Sequence, residues 1–450
     1  MNGQQEGSGS GKKFAGIEVP SDLKRKNFFV MYLANFFMAC LMSVPSIMQP
    51  AFLKEIINIP PEQAGSINSG LQNMSQVATV LFVGLVGVLS DKVGRKILAI
   101  IGFIVCGVFY ILFYFTKDIS LALGITSMGG EILMTFGVRF IIGIGLILGY
   151  PQFITMVADY TFRKDRGKGM ALHGVTMALG TMLIFGVLAQ IAKKTGLSSL
   201  FYISGALGFL GAFISRVWLV DRMPKEKAKT LGIKEIWNVV SKNLSLKVSY
   251  VLTFIARPDV IVVATLFVLW AVYTGDSFGT PMQATARGGL VLMLMSLFSL
   301  IAYPIVGVLL DRWGRVPVII TTLLMGGAGF CVTAFINNPF SPLMFIVAFL
   351  LGAGTYGVVP GAQVLAADAS PKPMLGSILG GLNTMSPLGI LLFLQVGGYL
   401  FDKVGYWSPF AFKGIANLAC AVWIIVIRKR LILSGQETGS AASGEEVPKV

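Results

Sequence analysis

Side chains that bind metals are scarce in this sequence. It contains one histidine, His173, and four cysteines, Cys40, Cys106, Cys331 and Cys420, which all fall inside apolar runs without paired spacing. Zinc sites and disulfide frameworks require clustered cysteines or histidines. The sequence therefore predicts no metal site, and we expect the four thiols to be small core residues.

Motifs for nucleotide hydrolysis and nucleophilic catalysis are also missing. The chain has no glycine-rich phosphate loop, and no nucleophile comes with a histidine partner. These motifs carry the chemistry of ATP-driven pumps and of many hydrolases. We therefore expect neither an enzyme nor an ATP-driven transporter, and we expect no cofactor.

Charge is sparse as well. Only 13% of the 450 residues are charged, 55% are hydrophobic, and the mean hydropathy of +0.77 is too high for a soluble globular protein. Apolar runs long enough to cross a bilayer as helices recur along the chain, which predicts an all-α membrane protein with twelve transmembrane helices. The runs lie near residues 28–53, 66–90, 97–116, 132–158, 169–191, 199–220, 259–275, 285–310, 316–335, 343–366, 375–400 and 407–427.

The net charge of +15 reflects membrane topology rather than nucleic-acid binding. Lysine and arginine concentrate in alternate loops, at residues 12–26, 163–168, 216–257 and 428–430. Basic loops stay on the cytoplasmic side of a membrane. We therefore predict a multi-pass protein of the cell membrane with both termini in the cytoplasm, and no nucleic-acid partner.

A polar, basic break divides the spans into six and six. We predict an N-terminal bundle at 28–220, a cytoplasmic linker at 221–257 and a C-terminal bundle at 258–430. Within the linker, IKEIWNVVSKNLSLKV has the pattern of an amphipathic surface helix. The polar residues at 1–27, which lack the apolar core of a signal peptide, and those at 431–450 are predicted to be disordered cytoplasmic tails.

The two halves repeat one another. GVLSDKVGRK, which begins at Gly87, and GVLLDRWGRV, which begins at Gly307, share glycine, leucine, aspartate and arginine at one constant offset. A second constant offset pairs Asp159 with Asp368, each eight residues after a matched proline. Two parallel six-helix repeats with pseudo-symmetry explain this register.

GVLSDKVGRK resembles the signature loop of the major facilitator superfamily, which lies between spans two and three as it does here. RFIIGIG, with Arg139, Gly143 and Gly145, is similar to the fourth-span motif of proton-linked members, and Ile142 stands where glutamine is often found. The resemblance covers residues 28–430. It implies the twelve-helix fold of this family and a transporter that works as a monomer.

The resemblance also implies a conformational switch. The carboxylate of Asp91 would meet the positive end of a helix from the other half, and Arg95, one turn on, would hold that carboxylate. Asp159 and Asp368 are expected to pair with Arg95, Arg166 or Arg315. The alternative is that these charges only mark a short basic loop and solvated helix ends. The predicted switch residues are Gly87, Asp91, Gly94, Arg95, Lys96, Gly307, Asp311, Gly314, Arg315, Asp159 and Asp368.

Arg139 is predicted to lie about two turns inside the fourth span. A buried arginine in hydrocarbon needs a partner or a wet cavity, yet we expect no acid in the middle of any span. Three interpretations stay open: hydrogen bonds to first-span carbonyls and Asn35, coupling to an outer acid, or binding of an anionic substrate. The nearest outer acids are Glu131, Asp118 and Asp276.

In the family that the motifs resemble, the first, fourth, seventh and tenth spans line the central cavity. Their neutral polar residues suit hydrogen bonding to a small organic solute, although such side chains in membrane helices often serve packing alone. The candidates are Asn35, Ser43, Ser46, Gln49, Tyr150, Gln152, Thr155, Trp270, Tyr273, Thr274, Tyr356 and Gln363. Asp276 and Arg287 are predicted to form an outer gate, with a plain surface ion pair as the alternative.

The functional prediction is a secondary transporter that imports a small organic solute by alternating access with proton coupling; an organic anion is one candidate solute. Proton-coupled efflux of a drug or metabolite is the alternative within the class. The fifth span lacks the glycine–proline element of drug–proton antiporters, which weakens that alternative. A non-transporting membrane sensor or scaffold is the alternative from another class, and the complete signature loop argues against it.

Overall fold

Helices form nearly all of the part of the chain that the structure describes. The structure is a computed structural model that describes residues 9–222, 233–274, 279–371 and 374–443. A short antiparallel hairpin comes first, with β1 at Gly9–Phe14 and β2 at Ile17–Pro20. The helices are α1 (Arg25–Glu55), α2 (Pro61–Val93), α3 (Arg95–Tyr114), α4 (Thr116–Ala122), α5 (Met128–Tyr160), α6 (Arg166–Met182), α7 (Ala189–Thr195), α8 (Ser198–Trp218), α9 (Ile233–Lys242), α10 (Leu244–Ala256), α11 (Pro258–Tyr273), α12 (Pro281–Arg312), α13 (Arg315–Ala334), α14 (Leu343–Ala369), α15 (Leu375–Lys403) and α16 (Ser408–Ser443).

Twelve helical stretches among the described residues are long and apolar enough to cross a membrane, as the sequence predicted. A π-helical turn at Leu183–Leu188 joins α6 and α7 into one span. The twelve stretches are Arg25–Glu55, Pro61–Val93, Arg95–Tyr114, Met128–Tyr160, Arg166–Thr195, Ser198–Trp218, Leu244–Tyr273, Pro281–Leu310, Arg315–Ala334, Leu343–Ala369, Leu375–Lys403 and Ser408–Leu431.

The seventh span differs from its prediction. It begins at Leu244 rather than near residue 259, because α10 and α11 follow one another with only Arg257 between them. Proline fits the first turn of a helix but cannot donate a backbone hydrogen bond, so Pro258 after a charged residue resembles a helix start in the sequence. The predicted linker at 221–257 therefore includes residues of a membrane span, and Asp259 lies inside that span.

The helices pack into two compact units. One comprises Met1–Pro60, Gly70–Lys227 and Val272–Met293, and the other comprises Pro61–Ser69, Ala228–Ala271 and Leu294–Val450. The bundle boundaries that we placed at residues 220 and 258 stay predictions.

Small residues allow close helix packing inside each unit. A Cβ on Gly102 of α3 would lie 2.5 Å from the carbonyl oxygen of Gly145 on α5. In the second unit, a Cβ on Gly354 of α14 would lie 2.8 Å from the Cα of Gly326 on α13. Gly145 and Gly354 are matched positions of the sequence repeat. Contacts through small residues are a principal means of helix association in membranes.

Residues 9–20 form an ordered hairpin, in a segment where we expected a disordered tail. Ile17 and Val19 are fully buried, and the Phe14 ring stacks on Tyr32 of α1 with centroids 6.1 Å apart. Asp165 accepts a hydrogen bond from the backbone N–H of Glu18 at 2.9 Å. That bond, together with the Lys168 ammonium, holds the pKa of the Asp165 carboxyl below its usual value. The apolar residues among the glycines and lysines thus attach the hairpin to the first unit.

The other two segments expected outside the bundles are also helical. The linker helix α9 forms as predicted, but it packs through Ile236, Val239 and Val240, while Trp237 is 67% exposed. Helix α16 continues to Ser443 into the predicted tail.

Candidate functional site

The loop between α2 and α3 closes tightly around Gly94. This glycine has φ of 104°, a left-handed conformation that other residues rarely adopt. The carboxylate of Asp221 occupies the place where a Cβ on Gly94 would stand. It accepts hydrogen bonds from the backbone N–H groups of Arg95 at 3.1 Å and Lys96 at 3.3 Å. Asp221, which the sequence did not identify as a site residue, thus caps the N-terminus of α3.

Arg95 is buried, and its charge is paired with Asp159 at the end of α5. This is one of the pairings expected for Asp159. Asp91 lies farther away, with its Oδ1 3.9 Å from a guanidinium nitrogen of Arg95, and its side chain is 60% exposed. Arg222 donates a hydrogen bond to the backbone carbonyl of Asp159. The cluster joins the end of α2, the start of α3 and the end of α5.

The second copy of the motif repeats this arrangement in a more exposed form. Arg315 donates from Nε to Asp368 Oδ2 at 2.9 Å and from a terminal nitrogen to the Leu310 carbonyl at 3.2 Å. Gly314 has φ of 85°, like Gly94. Asp311 lies in α12, and its side chain is outside the described set.

A third copy of the motif, not identified from the sequence, ends α15. GYLFDKVG at 398–405 has the glycine, leucine, aspartate, lysine, valine and glycine of GVLSDKVG at the same spacing. Asp402 Oδ1 accepts from the backbone N–H of Gly65 at 2.6 Å, and Oδ2 accepts from that of Ser66 at 2.8 Å. The carboxylate therefore binds the positive N-terminus of α2. This is the kind of contact that the family resemblance implied for Asp91.

Arg139 is fully enclosed within the first unit. Its side chain is 1% exposed, and it donates to Ser75 Oγ at 2.7 Å and to Gln72 Oε1 at 3.0 Å, both on α2. Of the three interpretations, the one with first-span partners is wrong, because the partners lie on α2 and Asn35 instead donates to His173 O and Thr176 Oγ1. Among the described residues, no carboxylate forms an ion pair with Arg139, and its Nε has no hydrogen-bond partner. A guanidinium with only neutral partners is thus held inside a membrane span.

Besides Asn35, three more of the neutral cavity candidates make hydrogen bonds within the helices of the first unit. This is the packing alternative considered for them. The contacts are Ser43 Oγ to Thr181 Oγ1 at 3.0 Å, Ser90 Oγ to Gln152 Oε1 at 2.6 Å, and Thr155 Oγ1 to the Pro151 carbonyl at 2.8 Å.

Gln49 behaves differently from those three. Its side chain is completely buried in α1, and neither amide atom has a hydrogen-bond partner among the described residues. Buried amides without partners are rare because each unsatisfied group costs free energy. Trp270 stacks on Tyr406 with centroids 5.1 Å apart, and the Tyr273 hydroxyl donates to the Ile59 carbonyl at 3.1 Å.

The remaining candidates differ in how far their side chains are buried. Ser46 is buried, and Tyr150, Thr274 and Gln363 are half-buried. The side chain of Tyr356 is outside the described set. Asp276 also lies outside the described residues, so the outer gate stays a prediction, with Arg287 exposed on α12.

A second buried charge lies in the seventh and twelfth spans. Lys413 Nζ is 2.5 Å from Asp259 Oδ1, and both side chains are 1% exposed. The prediction that no acid lies inside a span is therefore wrong. The lysine in an apolar run was the available signal, because a buried ammonium requires a partner. The misplaced start of the seventh span left Asp259 at a helix end and hid the pairing.

The family model described as Major Facilitator Superfamily matches residues 31–288 and 260–441. Among curated proteins, the chain is 27% identical over 427 residues to the magnetosome protein MamH of Paramagnetospirillum magneticum, covering 95% of this chain and 97% of that protein. It is 22% identical to the multi-drug resistance efflux pump PmrA homolog of Lactococcus lactis, covering 91% of this chain and 98% of that protein.

Solved structures show the same architecture. A crystal structure of a mutant of the nucleoside transporter NupG superposes with a TM-score of 0.70 at 12% sequence identity. The match covers 89% of this chain and 99% of that one. At this identity the likeness is one of fold.

Proposed function

Because the chain belongs to the Major Facilitator Superfamily, we propose that it is a secondary transporter that moves a small organic anion across its membrane by alternating access. That the chain is a membrane transporter of this family follows from the family match. The anionic substrate, the direction and the coupling ion are the proposed part. We also propose that it works as a monomer in the cell membrane with both termini in the cytoplasm.

The observation that carries the anionic substrate is the environment of Arg139. Burying a charge in hydrocarbon costs several kcal/mol unless it is compensated, and Gln72 and Ser75 supply only neutral acceptors. The unused Nε leaves a donor for a further acceptor. A carboxylate matches the planar fork of a guanidinium in both charge and geometry. An anion that reaches Arg139 as α2 and α5 separate would supply the missing counter-charge.

The switch residues support alternating access. The Asp402 contact holds the first residues of α2 against the last residues of α15. Asp91, at the opposite end of α2, is exposed. In the proposed cycle, the protein alternates between two states. In one state Asp402 binds the N-terminus of α2, and in the other Asp402 releases it and Asp91 binds the N-terminus of another helix. Each carboxylate would then stabilise one of two states, so that the solute sets their populations.

Proton coupling is proposed because the RFIIGIG segment is similar to the motif of proton-linked members. Import is the proposed direction. Efflux of drugs is the second candidate function. It is favoured by the relative named as a multi-drug resistance efflux pump. The two candidates differ in the charge of the solute, because Arg139 favours an anion over a cationic drug.

Counterflow in proteoliposomes tests the proposal. Vesicles with purified protein are loaded with unlabelled succinate, lactate, uridine or ethidium and diluted into the labelled compound, with protein-free vesicles as the control. We expect a transient uptake of a labelled carboxylate and none of uridine or ethidium. Counterflow of ethidium alone would favour efflux of cations, and counterflow of uridine alone would contradict the anionic substrate.

A further inference from the structure

Asp259, Lys413 and Asn417 form a closed polar cluster inside the membrane spans of the second unit. Lys413 Nζ lies 2.5 Å from Asp259 Oδ1 and donates to Asn417 Oδ1 at 2.7 Å. Asn417 donates in turn from Nδ2 to Asp259 Oδ2 at 2.9 Å. All three side chains are 1% exposed or less. A carboxylate and an ammonium in hydrocarbon are costly, and such residues in membrane helices commonly mark functional sites.

Lys413 is held by more than its carboxylate. Pro258 disturbs the hydrogen bonding of the preceding turn, and the carbonyl of Ile255 in that turn accepts from Lys413 Nζ at 2.7 Å. The ammonium also lies 4.6 Å from the centroid of the Phe393 ring and 5.8 Å from that of Phe330. Aromatic faces attract cations, most strongly where water is excluded. The lysine therefore keeps several partners if Asp259 loses its charge.

Asp259 depends on fewer contacts. Asn417 donates to Oδ2, and the ion-pair partner of Oδ1 is Lys413. Among the described residues, the neighbouring titratable groups are two thiols: Cys420 on α16, which interacts electrostatically with the pair, and Cys331 on α13, which packs against Gly414. Arg257, which precedes Pro258, is exposed. Asp259 is therefore the group of the cluster best placed to change its charge.

Building on the proton-coupled transport proposed above, we propose that Asp259 is the proton-binding site of the transport cycle. The proton bonds to Oδ1, which neutralises the carboxylate and opens its ion pair with Lys413. The ammonium keeps its charge and stays on the Ile255 carbonyl, Asn417 and the two rings. Opening the pair removes the ion pair that joins α11 to α16, and it thereby links the proton to helix movement.

A variant that removes both charges, and so keeps the net charge, distinguishes proton binding from a purely structural role of the ion pair. Asp259→Asn alone leaves Lys413 without its counter-ion and can impair folding, so the decisive protein combines Asp259→Asn with Lys413→Gln. We expect this double variant to retain succinate counterflow, whereas accumulation driven by an inward pH gradient falls to the equilibrium level. Full pH-driven accumulation in the double variant would overturn the proposal and would show that the ion pair only stabilises the fold.

A second measurement needs no solute. Infrared difference spectra of the purified transporter in lipid, recorded between acidic and alkaline pH, report a carboxyl group that gains a proton. We expect a protonated-carboxyl band that is absent in the double variant and retained in the control Asp402→Asn. If the band is identical in the parent and the double variant, the proton site is wrong. If Asp259 titrates while no carboxylate shows counterflow, the proton site stands and the proposed substrate fails.

Discussion

If succinate is the carboxylate that shows counterflow, we expect Arg139→Ala to lower the affinity of the purified transporter for it by about tenfold or more. A hydrogen bond to a charged group contributes about 1.5–3 kcal/mol, and about 1.4 kcal/mol corresponds to a tenfold change in affinity. The substitution removes the guanidinium that donates to Gln72 and Ser75 and that has no ion pair with a carboxylate in the described part of the chain. Equilibrium binding of labelled succinate to purified protein measures the effect.

Two further variants sharpen the Arg139 experiment. Arg139→Lys should recover only part of the affinity, because a point charge cannot reproduce the planar fork. Arg216→Ala, which removes an exposed arginine of α8, should leave binding unchanged. If Arg139→Ala binds succinate with normal affinity but loses pH-driven accumulation, Arg139 acts in proton coupling and not in substrate binding. Normal affinity with normal accumulation would leave it as a packing residue.

We expect Asp91→Asn to lower the rate of transport by about tenfold, while the affinity for the transported carboxylate stays near that of the parent protein. The expected size corresponds to a change of about 1.4 kcal/mol in the balance between two states. The side chain of Asp91 is 60% exposed, and its interaction with Arg95 is long at 3.9 Å. Its loss should therefore not disturb folding. The measurements are initial rates of counterflow and equilibrium binding on the same preparation.

The neighbouring residue provides the control for Asp91. Lys92→Gln changes the charge by one unit at the next residue of α2, which is also exposed. Its transport rate should match that of the parent protein. Equal rates in Asp91→Asn and the parent, at equal protein levels, would remove Asp91 from the switch.

The spans could be predicted from the sequence because hydrocarbon thickness fixes how many apolar residues a helix needs. The start of the seventh span could not. Arg257 followed by Pro258 has the local pattern of a helix start. In the folded chain, however, the span runs through this point from α10 into α11. Tertiary packing brings Lys413 to the Ile255 carbonyl and to Asp259. Only the folded chain shows that pairing.

Contacts of the candidate site could be predicted where they join helix ends that the sequence locates. Arg95 and Asp159 meet as expected, because each terminates or begins a helix at the same end of the bundle. Asp221 and Asp402 were missed for different reasons. Asp221 stands in a basic linker without a motif. Asp402 carries the first part of the motif, without its arginine, and it lies at the end of α15, where no repeat was expected.

The ordered hairpin shows the limit of composition as a guide. Glycine and lysine dominate residues 9–16 and predict disorder. Ile17, Val19 and Phe14 nevertheless bury against the first unit, and the Asp165 carboxylate accepts the Glu18 backbone N–H. A few apolar anchors that match an existing surface outweigh the average composition of a segment.

In the proposed transport cycle, the ends of α2 and α15 separate once in every turnover. The Asp402 side chain reaches the backbone of Ser66, so a disulfide between cysteines at the two positions would join the ends of the two helices. The most direct test combines Ser66→Cys and Asp402→Cys in a background without the four native cysteines. Succinate counterflow is then measured before oxidation, after oxidation and after reduction. We predict that oxidation stops counterflow and that reduction restores it, whereas unchanged counterflow in fully cross-linked protein would contradict transport by alternating access.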